Sequence, residues 1–350
     1  MNISIISFTE TGAALSEGIA DIRSDCMLYT KCKTANGSIP FEEESIGTWA
    51  CRQMQERNAL VFIGACGIAV RAIAPYVKDK LCDSPVLVVD ELGRHVIPLL
   101  SGHVGGANEL AEELAMQIGA IPVITTATDL EHKFAVDMFA KKNGFFIRNR
   151  EGIAAVSAKV LAGKSITMAI EQERITDFES VPEQIKIVVE PPKMPVDVWI
   201  TSELPEKAEN AALVLQPQEY VIGVGCRRGK EIGQIETFLA KKLQELGIAE
   251  WKIWKLASID RKKDEEALVQ WSKKRRIPFE TFSAEQLERV PGEFRHSAFV
   301  KQQVGVDNVC ERAALLACGV DGTLVSRKYA EDGMTVAIAK RTWRVTFHEK

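Results

Sequence analysis

The chain has 350 residues, 46% of them hydrophobic and 26% charged, and carries a net charge of −4. Its length exceeds the roughly 100–200 residues of one domain, so two or three domains are expected, with ample apolar material for their cores. The slight acidity argues against general nucleic-acid binding. No apolar run approaches the ~20 residues of a membrane span, and the strand-like opening at Ile3, Ile5 and Ile6 lacks the charged lead of a secretory signal. A cytoplasmic protein is expected. The eight cysteines form no C-x-x-C pair, and no histidine completes a zinc pattern. They read as reduced, mostly buried thiols, and no protein-bound metal is expected.

In chain order, Asn2–Ser7 predicts a strand, Gly12–Arg23 a helix and Cys26–Tyr29 a second strand. The acidic Glu42–Glu44 reads as the solvated start of a helix from Ser45 to Glu56. Strands and helices then alternate: the apolar runs Ala59–Ile63, Pro85–Val89, Val96–Leu100 and Ile121–Ile124 predict strands, and Ile68–Ala74 a helix. Continuous Val/Ile/Leu runs belong to strands covered on both faces, which indicates a largely parallel sheet.

The stretch Ser101-Gly-His103-Val-Gly105-Gly106-Ala-Asn108 precedes the strongest amphipathic helix, in which Ala107, Leu110, Ala111, Leu114 and Ile118 form one apolar stripe. Its glycines permit turns that side chains block, and free amides in the first helical turn favour an anion or oxyanion. A histidine beside that positive end stays neutral more readily, as a general base requires. The plainer alternative is a glycine-rich connector whose histidine caps or packs.

In open α/β sheets ligands bind outside the carboxyl ends of strands. The loops Gly64–Gly67, Asp90–Glu91, Ser101–Gly106 and Thr125–Asp129 all follow strands. If those strands run parallel the loops share one rim, where Arg71 and Lys80 could face an acidic ligand. Asp90 and Glu91 are otherwise a solvated turn.

Helices are predicted at His132–Asn143 and Arg150–Leu161, and a strand at Ile166–Ile170. Six of the thirteen prolines fall between Pro182 and Pro217, which predicts a linker or a loosely strand-bearing connector. A second α/β domain opens with a strand at Tyr220–Val224, followed by a helix at Glu231–Leu246 and a strand at Ile253–Ala257 that ends in Ser258-Ile-Asp260. Helices at Asp264–Arg275, at Ser283–Arg289 and from Gly305 to Ala317 come next, and strands at Gly322–Val325 and Thr335–Lys340 finish the chain. The expected architecture is two three-layer α/β/α domains with largely parallel sheets, 1–130 and 219–350, joined by a proline-containing middle segment, 131–218.

Gly223-x-Gly225 followed by Gly229 is a loose variant of a dinucleotide-binding turn, and Asp260 stands where such a fold places a ribose-binding acid. Arg227 and Arg228 could instead clamp carboxylates. Cys226, near a helix start and two arginines, is a candidate nucleophile, with inert packing as the alternative. The basic run Lys273–Arg276 reads as a solvated helix end.

Several blocks together resemble the CbiG family of cobalamin biosynthesis: Gly64-Ala-Cys-Gly-Ile-Ala-Val-Arg71, Val88-Val-Asp90-Glu91, Leu100-Ser-Gly-His103-Val-Gly-Gly-Ala-Asn108 and Pro122-Val-Ile-Thr-Thr-Ala-Thr-Asp129. The second half adds Gly223-Val-Gly-Cys-Arg-Arg-Gly229, Ala257-Ser-Ile-Asp260 and Gly305-Val with Val309-Cys-Glu311. The resemblance implies a cobalt-precorrin-5A hydrolase, which opens a ring-A lactone and releases a two-carbon unit as acetaldehyde. Cobalt would arrive with the anionic corrinoid, so no protein cofactor is expected. On this reading His103 is the base, oriented by Asp90 or Glu91, and amides near Gly105–Ala107 hold the oxyanion.

The resemblance implies substrate contacts at Gly64, Gly67 and Arg71, at Ser101, Gly102, Gly105, Gly106 and Asn108, and at Thr125, Thr126 and Asp129. In the second half it implies them at Gly223, Gly225, Cys226, Arg227 and Arg228, and at Ser258, Asp260 and Glu311. Expected partners are the corrinoid and, transiently, neighbouring pathway enzymes, with neither nucleic acid nor membrane, and a homodimer is allowed. Two competing readings are a non-catalytic corrinoid carrier and an NADP-dependent oxidoreductase using the Gly223 loop.

Overall fold

The computed structural model describes residues 2–35, 39–79, 83–127, 133–189, 191–203, 210–295, 302 and 305–347. The chain divides into two units, Met1–Met138 and Phe139–Lys350. In the first, strands β1 (Ile3–Ser7), β2 (Cys26–Thr30), β3 (Ala59–Ile63), β4 (Val86–Val89), β5 (His95–Leu100) and β6 (Ile121–Pro122) form one sheet in the order β2-β1-β3-β4-β5-β6. Helices α1 (Glu10–Ile22), α2 (Ile46–Gln55), α3 (Cys66–Ile73) and α4 (Ala107–Ile118) complete the unit.

Strand side chains alternate between faces, so each apolar run feeds two cores. Ile5, Val61 and Leu87 join Ile19 of α1 and Leu110 and Leu114 of α4. Ile6, Phe62 and Val88 join Trp49 of α2 and Ala69 of α3. A sheet buried on both sides is thus read directly from unbroken runs of Val, Ile and Leu.

The expected common direction fails at one place. Strands β2, β1, β3 and β4 run parallel, but β5 pairs antiparallel with β4, with Val89 opposite Val96 and Val86 opposite Leu100. β6 then follows β5 in parallel. The turn between β4 and β5, Asp90–Arg94, is too short for the dozen or so residues that a parallel crossover needs.

The second unit holds two sheets and helices α5 (Val136–Asn143, which begins before the unit boundary), α6 (Glu151–Leu161), α7 (Ile232–Glu245), α8 (Glu266–Arg275), α9 (Ala284–Glu288) and α10 (Val309–Cys318). Strands β7 (Phe145–Ile147), β8 (Ile166–Ile170), β9 (Ile185–Val189), β10 (Val196–Ile200) and β11 (Ala211–Pro217) form a sheet ordered β7-β11-β10-β8-β9, parallel except for β7. The segment expected to be a linker or a loosely strand-bearing connector is therefore a folded α/β layer. Its described prolines bracket strands and do not interrupt them: Pro182 precedes β9, Pro191, Pro192 and Pro195 fall between β9 and β10, and Pro217 ends β11.

The other sheet comprises β12 (Tyr220–Cys226), β13 (Ile253–Ile259), β14 (Phe279–Phe282), β15 (Thr323–Glu331) and β16 (Met334–Lys340) in the order β14-β13-β12-β16-β15. β12, β13 and β14 are parallel, and β15 and β16 form an antiparallel hairpin about Asp332 and Gly333, both with positive φ. One face packs on α7 and α8 through Phe238, Leu239, Leu268 and Trp271, the other on α10 through Val309 and Ala313.

Arg341 fastens the two sheets of this unit. Its Nε donates to the Gln218 carbonyl (2.8 Å), and its Nη2 to those of Asn143 (2.8 Å) and Gly144 (3.0 Å). Its guanidinium lies 3.8 Å from the ring centroid of Trp254.

Gly223 lets α10 approach β12, since a Cβ there would overlap the Cys310 carbonyl oxygen. Gly223→Ala is expected to lower the unfolding free energy by about 1–3 kcal/mol in urea denaturation, the cost of overpacking a fitted interior. Unchanged stability would show that the helix lifts freely.

Candidate functional site

The Ser101–Asn108 loop is wound tightly by its own backbone. Ser101 and Gly106 both take positive φ (58° and 89°). The amide of Gly106 donates to the His103 carbonyl (2.9 Å), that of Ala107 to Ser101 (3.0 Å) and that of Asn108 to Gly102 (3.0 Å). Gly102 and Gly105 leave no room for a side chain: a Cβ on Gly102 would lie 2.7 Å from Asn108 Oδ1, and one on Gly105 would overlap Ser101. These glycines serve the turn itself. The expected oxyanion role of the Gly106 and Ala107 amides is thereby corrected, because both are already spent inside the loop. The Gly105 amide donates to no described residue.

The loop leaves His103 half-buried, with Nδ1 3.8 Å from Oδ2 of Asp137 in the first turn of α5. That separation exceeds a hydrogen bond. The aspartate side chain is 6% exposed and the imidazole 18%, so the carboxylate sits behind a ring that solvent still reaches. No local sequence signal marks Asp137, since only the fold brings it to this loop. Asn108 donates through Nδ2 to the hydroxyl of Thr126 (3.0 Å), tying the loop to the segment after β6. Ser101 is held through its hydroxyl, which donates to the Asp83 carbonyl (3.0 Å). Thr125 is exposed. Asp129, Lys80 and His132 lie outside the described residues.

Asp90 and Glu91 do not orient His103. Because β5 runs antiparallel to β4, the 90–91 turn and the His103 loop stand at opposite ends of the sheet, a four-residue strand apart, or roughly 13 Å at ~3.3 Å per residue. Glu91 is exposed. Asp90 accepts from the amides of Leu92 (3.0 Å), Arg94 (2.9 Å) and His95 (2.6 Å), and lies 3.3 Å from the His95 ring. Partial desolvation pushes its carboxyl upward, but the amides and the ring outweigh that and hold it below the usual carboxylate range.

Gly64, Gly67 and Arg71 share the far rim with Asp90, so the predicted single rim of four loops becomes two rims of two. The Arg71 guanidinium folds over Gly67, and α3 begins at Ala65 without a side-chain cap.

In the second unit the structure reassigns several predicted contacts. Gly223 and Gly225 lie within β12, where a Cβ on Gly225 would stand 2.7 Å from Thr335 Oγ1, so both glycines serve strand packing. Ser258 is fully buried and donates to the Val224 carbonyl (2.7 Å). Glu311 is fully buried, accepting from Asn308 Nδ2 (2.8 Å) and from the amides of Lys328 (2.7 Å) and Arg295 (3.3 Å). Neither is available to a ligand.

Burial pushes the Cys226 thiol up, and Lys262 and Lys230 only partly oppose it, so the expectation of an arginine-activated nucleophile fails. Arg227, Arg228 and Asp260 are exposed at the strand ends. Glu265 binds this rim together, accepting from the Gly229 amide (2.9 Å) and pairing with Lys262 (2.7 Å). The described cysteines are free thiols, and most are half-buried; only Cys310 among them is fully buried.

Fold and site together define a multi-sheet α/β protein with a histidine–aspartate pair at a glycine-wound helix entry. Models of the cobalamin synthesis G N-terminal region, the cobalamin biosynthesis central region and the cobalamin synthesis G C-terminus match residues 48–129, 134–217 and 220–339. A cobalt-precorrin-5A hydrolase of Salmonella typhimurium is 33% identical, covering 96% of this chain and 97% of its own. One from Priestia megaterium is 31% identical over 96% and 94%. A solved cobalamin biosynthesis protein G homolog from Sulfolobus solfataricus is 23% identical, covers 97% of each chain and superposes with a TM-score of 0.40. The chain belongs to the CbiG family of cobalamin biosynthesis.

Asp90→Asn is expected to cost about 1 kcal/mol of stability near neutral pH, the net worth of the weakened turn bonds. The Asp90 carboxyl is depressed in the folded state, so its contribution is full above an ordinary aspartate pKa of about 3.9 and fades as pH falls through the folded value. Denaturant unfolding across that range should show wild type and variant converging in acid; a constant gap would contradict the assignment. Cys226 in the native protein should alkylate with iodoacetamide much more slowly near pH 7.5 than in the urea-unfolded chain, as peptide mapping would show.

Proposed function

We infer that this protein hydrolyses cobalt-precorrin-5A, opening the ring-A lactone and releasing the two-carbon unit as acetaldehyde to give cobalt-precorrin-5B. The observation that carries this reading is end-to-end similarity to two cobalt-precorrin-5A hydrolases, at 33% and 31% identity. No helix among the described residues is long and apolar enough to cross a membrane. We place the activity in the cytoplasm, on an anionic cobalt corrinoid that neighbouring pathway enzymes supply and remove. The metal belongs to the substrate.

His103 is the proposed base. With its Nδ1 proton directed at Asp137, the imidazole keeps a lone pair on Nε2 for water, and the buried carboxylate stabilises the imidazolium that forms. Water then adds to the lactone carbonyl while the proton passes to His103. The acyl C–O bond breaks to leave a carboxylic acid, which releases its proton to solvent, and an alkoxide. That alkoxide becomes the aldehyde C=O as the adjacent C–C bond cleaves, and the electron pair enters the conjugated macrocycle, which takes up a proton. Gly105 is the loop amide we assign to the developing oxyanion. Arg71 on its own rim, and Arg227 and Arg228 on theirs, are exposed cations suited to peripheral carboxylates.

The oxidoreductase reading loses support, because two of the three glycines that carried it, Gly223 and Gly225, are occupied by packing inside β12. A carrier remains distinguishable by chemistry, since it would bind the corrinoid and release no acetaldehyde.

His103→Ala and His103→Gln should lose acetaldehyde release by about 100-fold or more while corrinoid affinity holds, which is the usual scale for a general base. Asp137→Asn should lower kcat with a smaller change in KM and shift the pH profile of kcat. Wild-type turnover in the His103 variants would remove the imidazole from this role.

A further inference from the structure

A small cavity in the second unit carries more positive charge than its fold needs. It measures about 230 Å³ and is lined by Arg174, Glu219, Lys340, Arg341 and Trp343 among others. Arg341 is 8% exposed, and the three acceptors of its Nε and Nη2 are carbonyls, which are dipoles and not charges. Its Nη1 donates to no described residue. Desolvation lowers Arg341 to about 10, opposed only in part by Cys318 and Glu219.

The neighbouring cations do not relieve it. Glu219 is the one carboxylate lining the cavity, and its Oε1 lies 3.4 Å from Lys340 Nζ. Arg174 lies over the Trp343 ring at 4.6 Å and pairs outside the cavity with Glu171 at 2.8 Å. Among the described residues, three basic residues and one carboxylate therefore line this space. A buried guanidinium without an anionic partner costs stability, and a bound anion would recover it.

We propose that this cavity is a binding site for one small oxyanion group, a carboxylate or a phosphate, held by Arg174, Lys340 and Arg341. The volume fits that class: it equals the share of several waters at ~30 Å³ each and falls below the ~300 Å³ at which pockets for whole drug-sized ligands begin. It admits a side-chain carboxylate but not a macrocycle. The group has two sources, a peripheral carboxylate of the proposed corrinoid substrate or a free anion. Only the first rests on the hydrolase reading.

Thermal unfolding and calorimetric titration of the full chain with inorganic phosphate and with acetate, against sodium chloride at equal ionic strength, tests the site. A saturable rise in Tm beyond the chloride control is expected for wild type, because a ligand that binds only the native state stabilises it. Arg174→Gln and Lys340→Gln, both on partly exposed side chains and checked for folding by circular dichroism, should weaken that binding at least 10-fold. If the anion belongs to the substrate, the same variants raise KM about 10-fold at unchanged kcat; an unchanged KM with lost phosphate binding identifies a free anion. The proposal is overturned if neither anion stabilises wild type beyond chloride and KM is unmoved, or if the variants bind phosphate as wild type does. Acetaldehyde release by the wild-type protein is read separately, so failure here leaves the hydrolase assignment untouched.

Discussion

Asp90 folds its carboxylate back over the amides of Leu92, Arg94 and His95, and on those bonds the chain reverses from β4 into β5. The reversal decides where chemistry can occur in the first unit. Without it the Ser101 loop would emerge beside Gly64 and Asp90, at the carboxyl ends of the parallel strands where open α/β sheets bind ligands. With it, the histidine loop is carried to the other end of the sheet and meets α5. A turn whose acid looks catalytic in the sequence thus acts by geometry, placing the imidazole away from itself and beside Asp137.

The same loop shows how much of a helix's positive end can be consumed locally. Three carbonyls from Ser101, Gly102 and His103 accept the amides of Ala107, Asn108 and Gly106. Those bonds fix the ring's backbone and remove the donors that an anion would otherwise use. Precision in placing His103 is therefore obtained at the expense of oxyanion capacity. On the proposed mechanism, that exchange shifts the chemical weight onto the imidazole and its buried carboxylate, and onto the charge stabilisation that the macrocycle offers.

Most of the layer architecture was legible because burial on both sheet faces writes itself as unbroken apolar runs, as in Ala59–Ile63 and Pro85–Val89. The strand reversal was also legible in principle. Asp-Glu-Leu-Gly-Arg between two such runs is too short for a crossover and carries the residues of a tight turn. The sheet in the middle region was hidden because proline density resembles a linker until each proline is seen to bracket a strand. The hairpin at 332–333 is written in the sequence as an Asp-Gly turn signature. Asp137 had no local signature at all, since an acid in a first helical turn is ordinary and only tertiary placement makes it a partner. Glycines misled in the opposite sense: at 223 and 225 they answer to close packing, which a spacing pattern cannot separate from ligand approach.

Buried charge in the second unit is handled in two ways. Arg312 pairs with Asp307 at 3.1 Å and caps carbonyls at the end of α9, and Glu311 gathers amides and an amide side chain around its carboxylate. Arg341 is different: it donates to the carbonyls of Asn143, Gly144 and Gln218 where the chain enters β7 and leaves β11, the Gly144 carbonyl also accepting from the Gln218 amide at 2.8 Å. A neutral donor set could do that work without importing a net charge into a space already lined by Arg174 and Lys340. Fixing the two sheets explains the hydrogen bonds, and the Trp254 ring at 3.8 Å meets part of the charge, but no carboxylate pairs with it among the described residues. Carbonyl dipoles and one aromatic face only partly offset the desolvation of that guanidinium, and an anion in the cavity would complete the compensation.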